Sequence, residues 1–253
     1  MQRPSCAFLF LLLCLLAAPG CREDRPVLPD LSVPGLLKKK VLLAREDPAR
    51  VLGETEYQYG PDRRLLKEES YYFRDNQRVL GEYTGYRYDN EGRQVGSTRH
   101  IQHASGNFMV YAETVFAYAG GLLVRETVSY PALVAVTTYE YAADRLVKKS
   151  FLDGSNELLH YTVYAYDGAG NLAGETNFAA PGTPTYFVQY TYQNGLRQVR
   201  QMFRGDPGGS AAPELWSTIR YGYDAQKRLV TEKTEYINLL SSAVFPTIRY
   251  EYY

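Results

Sequence analysis

Apolar and polar positions alternate along most of the chain with a period of two. Ile219, Tyr221 and Tyr223 fall on one side of the alternation, with Thr218 and Arg220 on the other. The last segment sets Ile248, Tyr250 and Tyr252 against Thr247, Arg249 and Glu251, and further back Thr55, Tyr57 and Tyr59 oppose Glu56 and Gln58. Residues i and i+2 of a strand share a face, so each segment predicts an antiparallel strand with one apolar and one wet face. No stretch sustains a helical period. An aromatic-x-Tyr triplet recurs eight times: Tyr57/Tyr59, Tyr86/Tyr88, Phe116/Tyr118, Tyr139/Tyr141, Tyr164/Tyr166, Tyr190/Tyr192, Tyr221/Tyr223 and Tyr250/Tyr252. Successive second aromatics lie 29, 30, 23, 25, 26, 31 and 29 residues apart. Turn signals such as Asp89-Asn90-Glu91-Gly92, Gly120-Gly121, Asp167-Gly168-Ala169-Gly170 and Asn194-Gly195 follow the triplets, and then comes a segment opened by Arg or Leu. Each unit reads as a β-hairpin.

These repeats predict an all-β fold, a repeat meander of about 15–16 short antiparallel strands. Open sheets of more than about ten strands curl or split because adjacent strands twist by roughly 20–25°. A curled shell, a closed sheet or a long meander wound along an axis is expected, with one long twisted or curled sheet as the leading form and closure left open. With no helical layer to cover the apolar face, the tyrosines are expected to cover one another in cross-strand ladders. The turns after the triplets are short, whereas the return connections differ in length, from Asp75-Asn76-Gln77 to the loop containing Gly205-Asp206-Pro207-Gly208-Gly209. In a meander these gather at one edge, which is the better place to expect binding.

The first residues follow another pattern. Arg3, an apolar run from Ala7 to Ala18 and Pro19-Gly20 describe a secretory signal peptide over residues 1–20. The run is too short for a spanning helix, which takes about 20 apolar residues. Ala18-Pro19-Gly20-Cys21 resembles a bacterial lipobox, which implies a lipid on Cys21. Cys6 and Cys14 lie in the removed segment, so Cys21 has no partner for an intramolecular disulfide. Residues 21–37, with Pro26, Pro29, Pro34 and Gly35, suit an extended tether, and residues 38–253 form the repeat domain. Lys38-Lys39-Lys40 followed by Val41-Leu42-Leu43 reads as the charged end of an edge strand. The expected location is the bacterial cell envelope, as an outer-membrane lipoprotein with its leaflet open.

Composition narrows the function classes. Lys+Arg and Asp+Glu both number 28, so no broad positive field is available for nucleic acid. Apolar residues at 45% and aromatics at 14% exclude a disordered chain. His100, His103 and His160 are expected at the surface or in turns, and no metal or cofactor site is assigned. The Gly168–Gly174 stretch leads from one strand to another rather than into a helix, so it is a hairpin turn and not a phosphate loop. No nucleophile elbow, His-Glu-x-x-His or P-loop is present, and no catalytic residue is assigned. Carboxylates such as Glu68/Glu69 and Glu232/Glu235 leave room for a glycosidase pair. Aromatics outside the repeat register are the better binding candidates, led by Trp216, Tyr186 and Tyr161, because a ring with a polar tip can stack on sugars or peptides.

Tyr86-Arg87-Tyr88-Asp89-Asn90-Glu91-Gly92-Arg93 resembles the Tyr-Asp repeat of the Rhs family, and so do Tyr164–Leu172 and Tyr221–Leu229. Elsewhere Gly60, Ala119, Ala142 and Gln193 stand in the Asp position. The resemblance spans roughly residues 50–253 and implies a β-sheet shell of the kind that encloses a toxin or sits at a cell surface. The leading expectation is a lipid-anchored envelope module that binds or scaffolds, with an envelope protein, a glycan or an exported polypeptide as partner. Two alternatives stand beside it: an envelope glycan hydrolase using a carboxylate pair, and a transmembrane β-barrel.

Overall fold

The computed structural model describes residues 35–44, 47, 49–205, 212–237 and 247–252. The signal peptide, Cys21 and all of the tether but Gly35–Leu37 lie outside them. Sixteen strands follow one another: β1 (Leu37–Leu43), β2 (Val51–Tyr59), β3 (Leu65–Arg74), β4 (Gln77–Tyr88), β5 (Gln94–Gln102), β6 (Phe108–Ala119), β7 (Leu122–Tyr130) and β8 (Leu133–Ala142). The second half comprises β9 (Arg145–Asp153), β10 (Leu158–Tyr166), β11 (Leu172–Ala179), β12 (Thr183–Gln193), β13 (Leu196–Arg204), β14 (Glu214–Tyr223), β15 (Leu229–Tyr236) and β16 (Thr247–Tyr252).

Each strand pairs antiparallel with its neighbours in sequence, and β1 pairs with β16 from Leu37↔Tyr252 to Leu43↔Thr247. The meander is as expected, but the sheet is not a long open or curled one: it is a closed barrel. Closure satisfies the two rows of backbone N–H and C=O groups that an open sheet would leave at its edges. Consequently β1 is not an edge strand either. Lys39 reaches Glu54 at 3.3 Å and Glu56 at 3.5 Å on β2, and Val41 is 1% exposed. Strands run from six to twelve residues, most of them nine or longer.

Burial identifies the inner face. None of the triplet aromatics is exposed, whereas the middle residues Gln58, Arg87, Ala117, Glu140, Ala165 and Thr191 are. Among the described residues no second layer covers the outside of the sheet, so the covered aromatic face is the concave one.

The turns after the triplets are of two kinds. Asp89, Asp167 and Asp224 open five-residue turns, each Oδ1 accepting the backbone N–H two and four residues on, at 2.8–3.0 Å. Each Oδ2 takes a side-chain N–H from the fifth residue, Arg93, Asn171 or Arg228. Asp167 and Asn171 are therefore engaged with the turn itself. Where Ala119, Ala142 and Gln193 replace the Asp, the turn has two residues, both at positive φ: Gly120-Gly121, Ala143-Asp144 and Asn194-Gly195. A turn of that length leaves no N–H for an Asp to cap. The missing aspartates are thus a change of turn type. Gly60 is the exception, since it opens a five-residue turn in which Asp62 accepts from Arg64 N–H.

Candidate functional site

The interior is built in layers, beginning at the short-turn end. The second tyrosine of a repeat reaches back to the preceding hairpin and donates its hydroxyl to a backbone carbonyl. Tyr88, Tyr118, Tyr141, Tyr166, Tyr223 and Tyr252 donate to Leu65, Gln94, Leu123, Leu146, Arg197 and Leu229 at 2.8–2.9 Å. Each acceptor residue stands opposite the preceding repeat's own second aromatic. Arg64, Arg93, Arg145 and Arg228, each just before such an acceptor, hold their guanidinium groups 5.0–5.7 Å from the same tyrosine rings. The arginine and the residue after it at the opening of these return strands therefore clasp the next repeat by a cation–π contact and a part-buried hydrogen bond. Tyr192 breaks the series, its buried hydroxyl having no partner among the described residues.

The next layer carries charge. Opposite the eight first aromatics stand Glu68, Ser97, Glu126, Lys149, Glu175, Arg200, Glu232 and Lys40, all turned inward. Round the barrel the signs alternate from Glu126 through Lys149, Glu175, Arg200, Glu232 and Lys40 to Glu68, with Ser97 the one neutral position. The acids accept from the first tyrosine of the following repeat. Tyr139 donates to Glu126 at 2.8 Å and Tyr190 to Glu175 at 2.5 Å, and Tyr250 is bonded to Glu232. Ser97 precedes Phe116, which has no hydroxyl to offer. Burial pushes the phenols of Tyr139, Tyr190 and Tyr250 well above their usual range, and the adjoining carboxylates add to it; Tyr221 is raised to about 12 for the same reasons. A carboxylate only 9% exposed, as Glu175 is, needs such partners to stay charged.

Alternation counted along each return strand from its first inward residue would place these charges on the wet face. A one-residue bulge after every short turn (Leu66, Val95, Val124, Val147, Ala173, Gln198, Val230) shifts the alternation and turns the charges inward. The spacing holds the signal: the charge, or Ser97, lies eleven residues after the first aromatic across a five-residue turn and ten across a two-residue one.

The third layer lies at the variable-loop end. Trp216 and Tyr186 come together there through Arg204, which stands opposite Tyr186 and 4.6 Å over the Trp216 ring. Tyr236 meets Trp216 edge-on at 5.8 Å. Tyr161 does not join them. Three residues before Tyr164, it has the opposite parity and lies outside, stacked on Phe178 at 4.9 Å. The same logic separates the two carboxylate pairs: Glu68 and Glu232 point inward, while Glu69 and Glu235 point outward. Neither pair can work on one substrate. His103 occupies a turn and bonds Ser105, and His100 stacks outside on Tyr83 at 4.4 Å. Contrary to expectation His160 is inside, stacked on Phe151 at 4.2 Å, and burial next to Lys149 lowers its pKa. Among the described residues no group of three or more His, Cys, Asp or Glu could hold a metal ion.

No family model matches the chain, and no curated protein does either. Among solved structures it is similar to a porin-like protein from Bacteroides vulgatus, with 14% identity, a TM-score of 0.38 and 87% and 99% of the two chains covered. A porin-like protein from Bacteroides uniformis gives 11% identity, a TM-score of 0.35 and coverages of 86% and 96%. The TcdB2-TccC3-Cdc42 structure gives 14% identity and a TM-score of 0.34 over 83% of this chain, which spans 13% of that one. Scores this low carry no functional argument. What stands is a closed sixteen-strand antiparallel β-barrel, an architecture nearer to a transmembrane barrel than to an open scaffold.

Proposed function

We propose that this chain is a barrel of the bacterial cell envelope that binds a ligand at the variable-loop mouth, with its outer wall in water and its N-terminus held to the membrane through a lipid on Cys21. The observation that carries the water-facing wall is the set of outward charged side chains. By register Glu56, Glu69, Arg220, Lys233 and Arg249 point outward near the middle of their strands, and Lys67, Arg87, Arg125 and Lys148 do so a row nearer the short turns. A transmembrane barrel carries an apolar band there, and each Lys or Arg at the bilayer midplane costs about 2–4 kcal/mol. Several of these charges are already partnered on the surface: Lys67 contacts Glu69 at 2.6 Å, and Arg78 contacts Glu54 at 2.9 Å and Glu56 at 2.6 Å.

Closure, the even number of antiparallel strands and strand lengths near those of outer-membrane barrels favour the second reading, a barrel that itself spans the outer membrane. The two readings separate on one experiment. Mass spectrometry of the mature N-terminus is run beside fractionation of a Cys21→Ala protein. The water-facing reading expects an acyl mass on Cys21 and a mutant that leaves the membrane without detergent. A mutant that still needs detergent is a transmembrane barrel, and an unmodified Cys21 removes the anchor.

A further inference from the structure

The mouth twice holds two rings at equivalent repeat positions with an arginine over the first of them, the arginines coming from different register positions. On β5–β7 the Arg99 guanidinium lies 5.1 Å over Tyr111, and Tyr111 meets Tyr130 edge-on at 5.6 Å and 78°. On β13–β15 Arg204 lies 4.6 Å over Trp216, and Trp216 meets Tyr236 at 5.8 Å and 76°. Tyr111 and Trp216 occupy the same place in their repeats, five residues before the first aromatic, and each is the extra residue of a β-bulge. A bulge re-aims the side chain of its extra residue. The corresponding bulges of β2, β4, β10 and β12 carry Leu52, Gly81, Leu159 and Thr185, so the aromatic cluster belongs to two repeats among those described. Those repeats are eight strands apart in a ring of sixteen, which sets the clusters on opposite walls.

Tyr111, Tyr130, Trp216 and Tyr236 are all half-buried, so part of each residue stays accessible. The charges are balanced in place: Arg99 Nε lies 3.1 Å from Glu82, and Glu214 stands opposite Arg204. The Trp216 indole N–H has no acceptor among the described residues. An apolar ring beside a cation and a carboxylate that neutralise each other suits a ligand with an apolar face rimmed by hydroxyls and little net charge. A pyranose is such a ligand. Sixteen strands about 4.8 Å apart, tilted by about 40°, would put backbones roughly 30 Å apart across a circular ring, so one sugar cannot bridge both walls.

We propose that the two clusters are similar, independent subsites for a neutral oligosaccharide, one on each wall of the mouth. This rests on the binding reading above but not on how the chain is held in the envelope. Trp216 is the single tryptophan of the chain, so its fluorescence reports one subsite alone. The full chain is titrated with hexasaccharides of β1,4-glucose, β1,4-N-acetylglucosamine and α1,4-glucose, by emission and by calorimetry. At least one should shift the Trp216 emission saturably with two sites per barrel. Arg204→Ala should weaken its site about tenfold and leave the other intact. Trp216→Phe combined with Tyr111→Trp should move the fluorescence response to the opposite wall, which keeps the test valid if an alanine variant misfolds. Two outcomes overturn the proposal: no response to any of the sugars, or one site per barrel. Each of them leaves the fractionation result on Cys21 untouched.

Discussion

Replacing Tyr190 with Phe removes the hydroxyl that donates to Glu175 at 2.5 Å and leaves a carboxylate 9% exposed without that donor. A hydrogen bond to a charged group contributes about 1.5–3 kcal/mol net. In a domain of this size 1 kcal/mol moves the Tm by about 2–4 °C, so Tyr190→Phe should lower it by roughly 3–12 °C. The barrel also contains its own control. At Ser97 and Phe116 the same two positions carry a small neutral residue and a ring without a hydroxyl. Glu175→Ser should be destabilising alone because it strands the Tyr190 hydroxyl, while Glu175→Ser with Tyr190→Phe reproduces the Ser97/Phe116 arrangement. The double variant should therefore cost less than the two single changes added together, with a coupling of about 1.5–3 kcal/mol. Urea denaturation followed by circular dichroism and by Trp216 fluorescence measures all four corners of the cycle, and coincident transitions justify the two-state treatment. Additive single variants, with coupling below about 0.5 kcal/mol, would refute the idea that the hydroxyl–carboxylate bond joins adjacent hairpins.

Two other predictions come from the same interior. Tyr223→Phe loses the bond to the Arg197 carbonyl and should cost about 1 kcal/mol, whereas Tyr192→Phe removes a buried hydroxyl without a partner and should be neutral or stabilising in the same urea titration. Alkaline pH should unfold the barrel cooperatively. The buried phenols of Tyr139, Tyr190, Tyr221 and Tyr250 titrate above the 10.0 of an exposed tyrosine, so the unfolded chain loses protons first. The stability they contribute is complete below pH 10 and falls as pH rises above it, so Tm measured against pH should drop there, with tyrosinate absorbance rising only on unfolding. Tyrosinate that appears in a still-folded barrel would contradict the burial.

Much of the fold is local and is written in the chain. The i, i+2 aromatics set the strands, the turn residues set the hairpins, and an Arg or Leu after the turn marks where each return strand starts. Even the change of turn type can be recovered from the loss of Asp at Ala119, Ala142 and Gln193. The inward charges are harder to see. Their order is present as a ten- or eleven-residue spacing, but a bulge reverses the parity on which a period-two reading depends. Trp216 and Tyr186 were recognisable as aromatics outside the repeat register. Tyr161 was equally visible and lies on the other side of the wall, because register and not residue type decides the face.

The sequence by itself determined strands, hairpins, their order and the aromatic face. Tertiary structure alone decided closure, the sides of the wall and the pairing of distant clusters. A strand has the same alternation whether its sheet is open or closed, so nothing local in Lys39-Lys40-Val41 says that Glu251, Tyr250 and Arg249 lie beside it. That contact depends on twist and stagger accumulated over sixteen strands, and so does the placing of Trp216 across the ring from Tyr111.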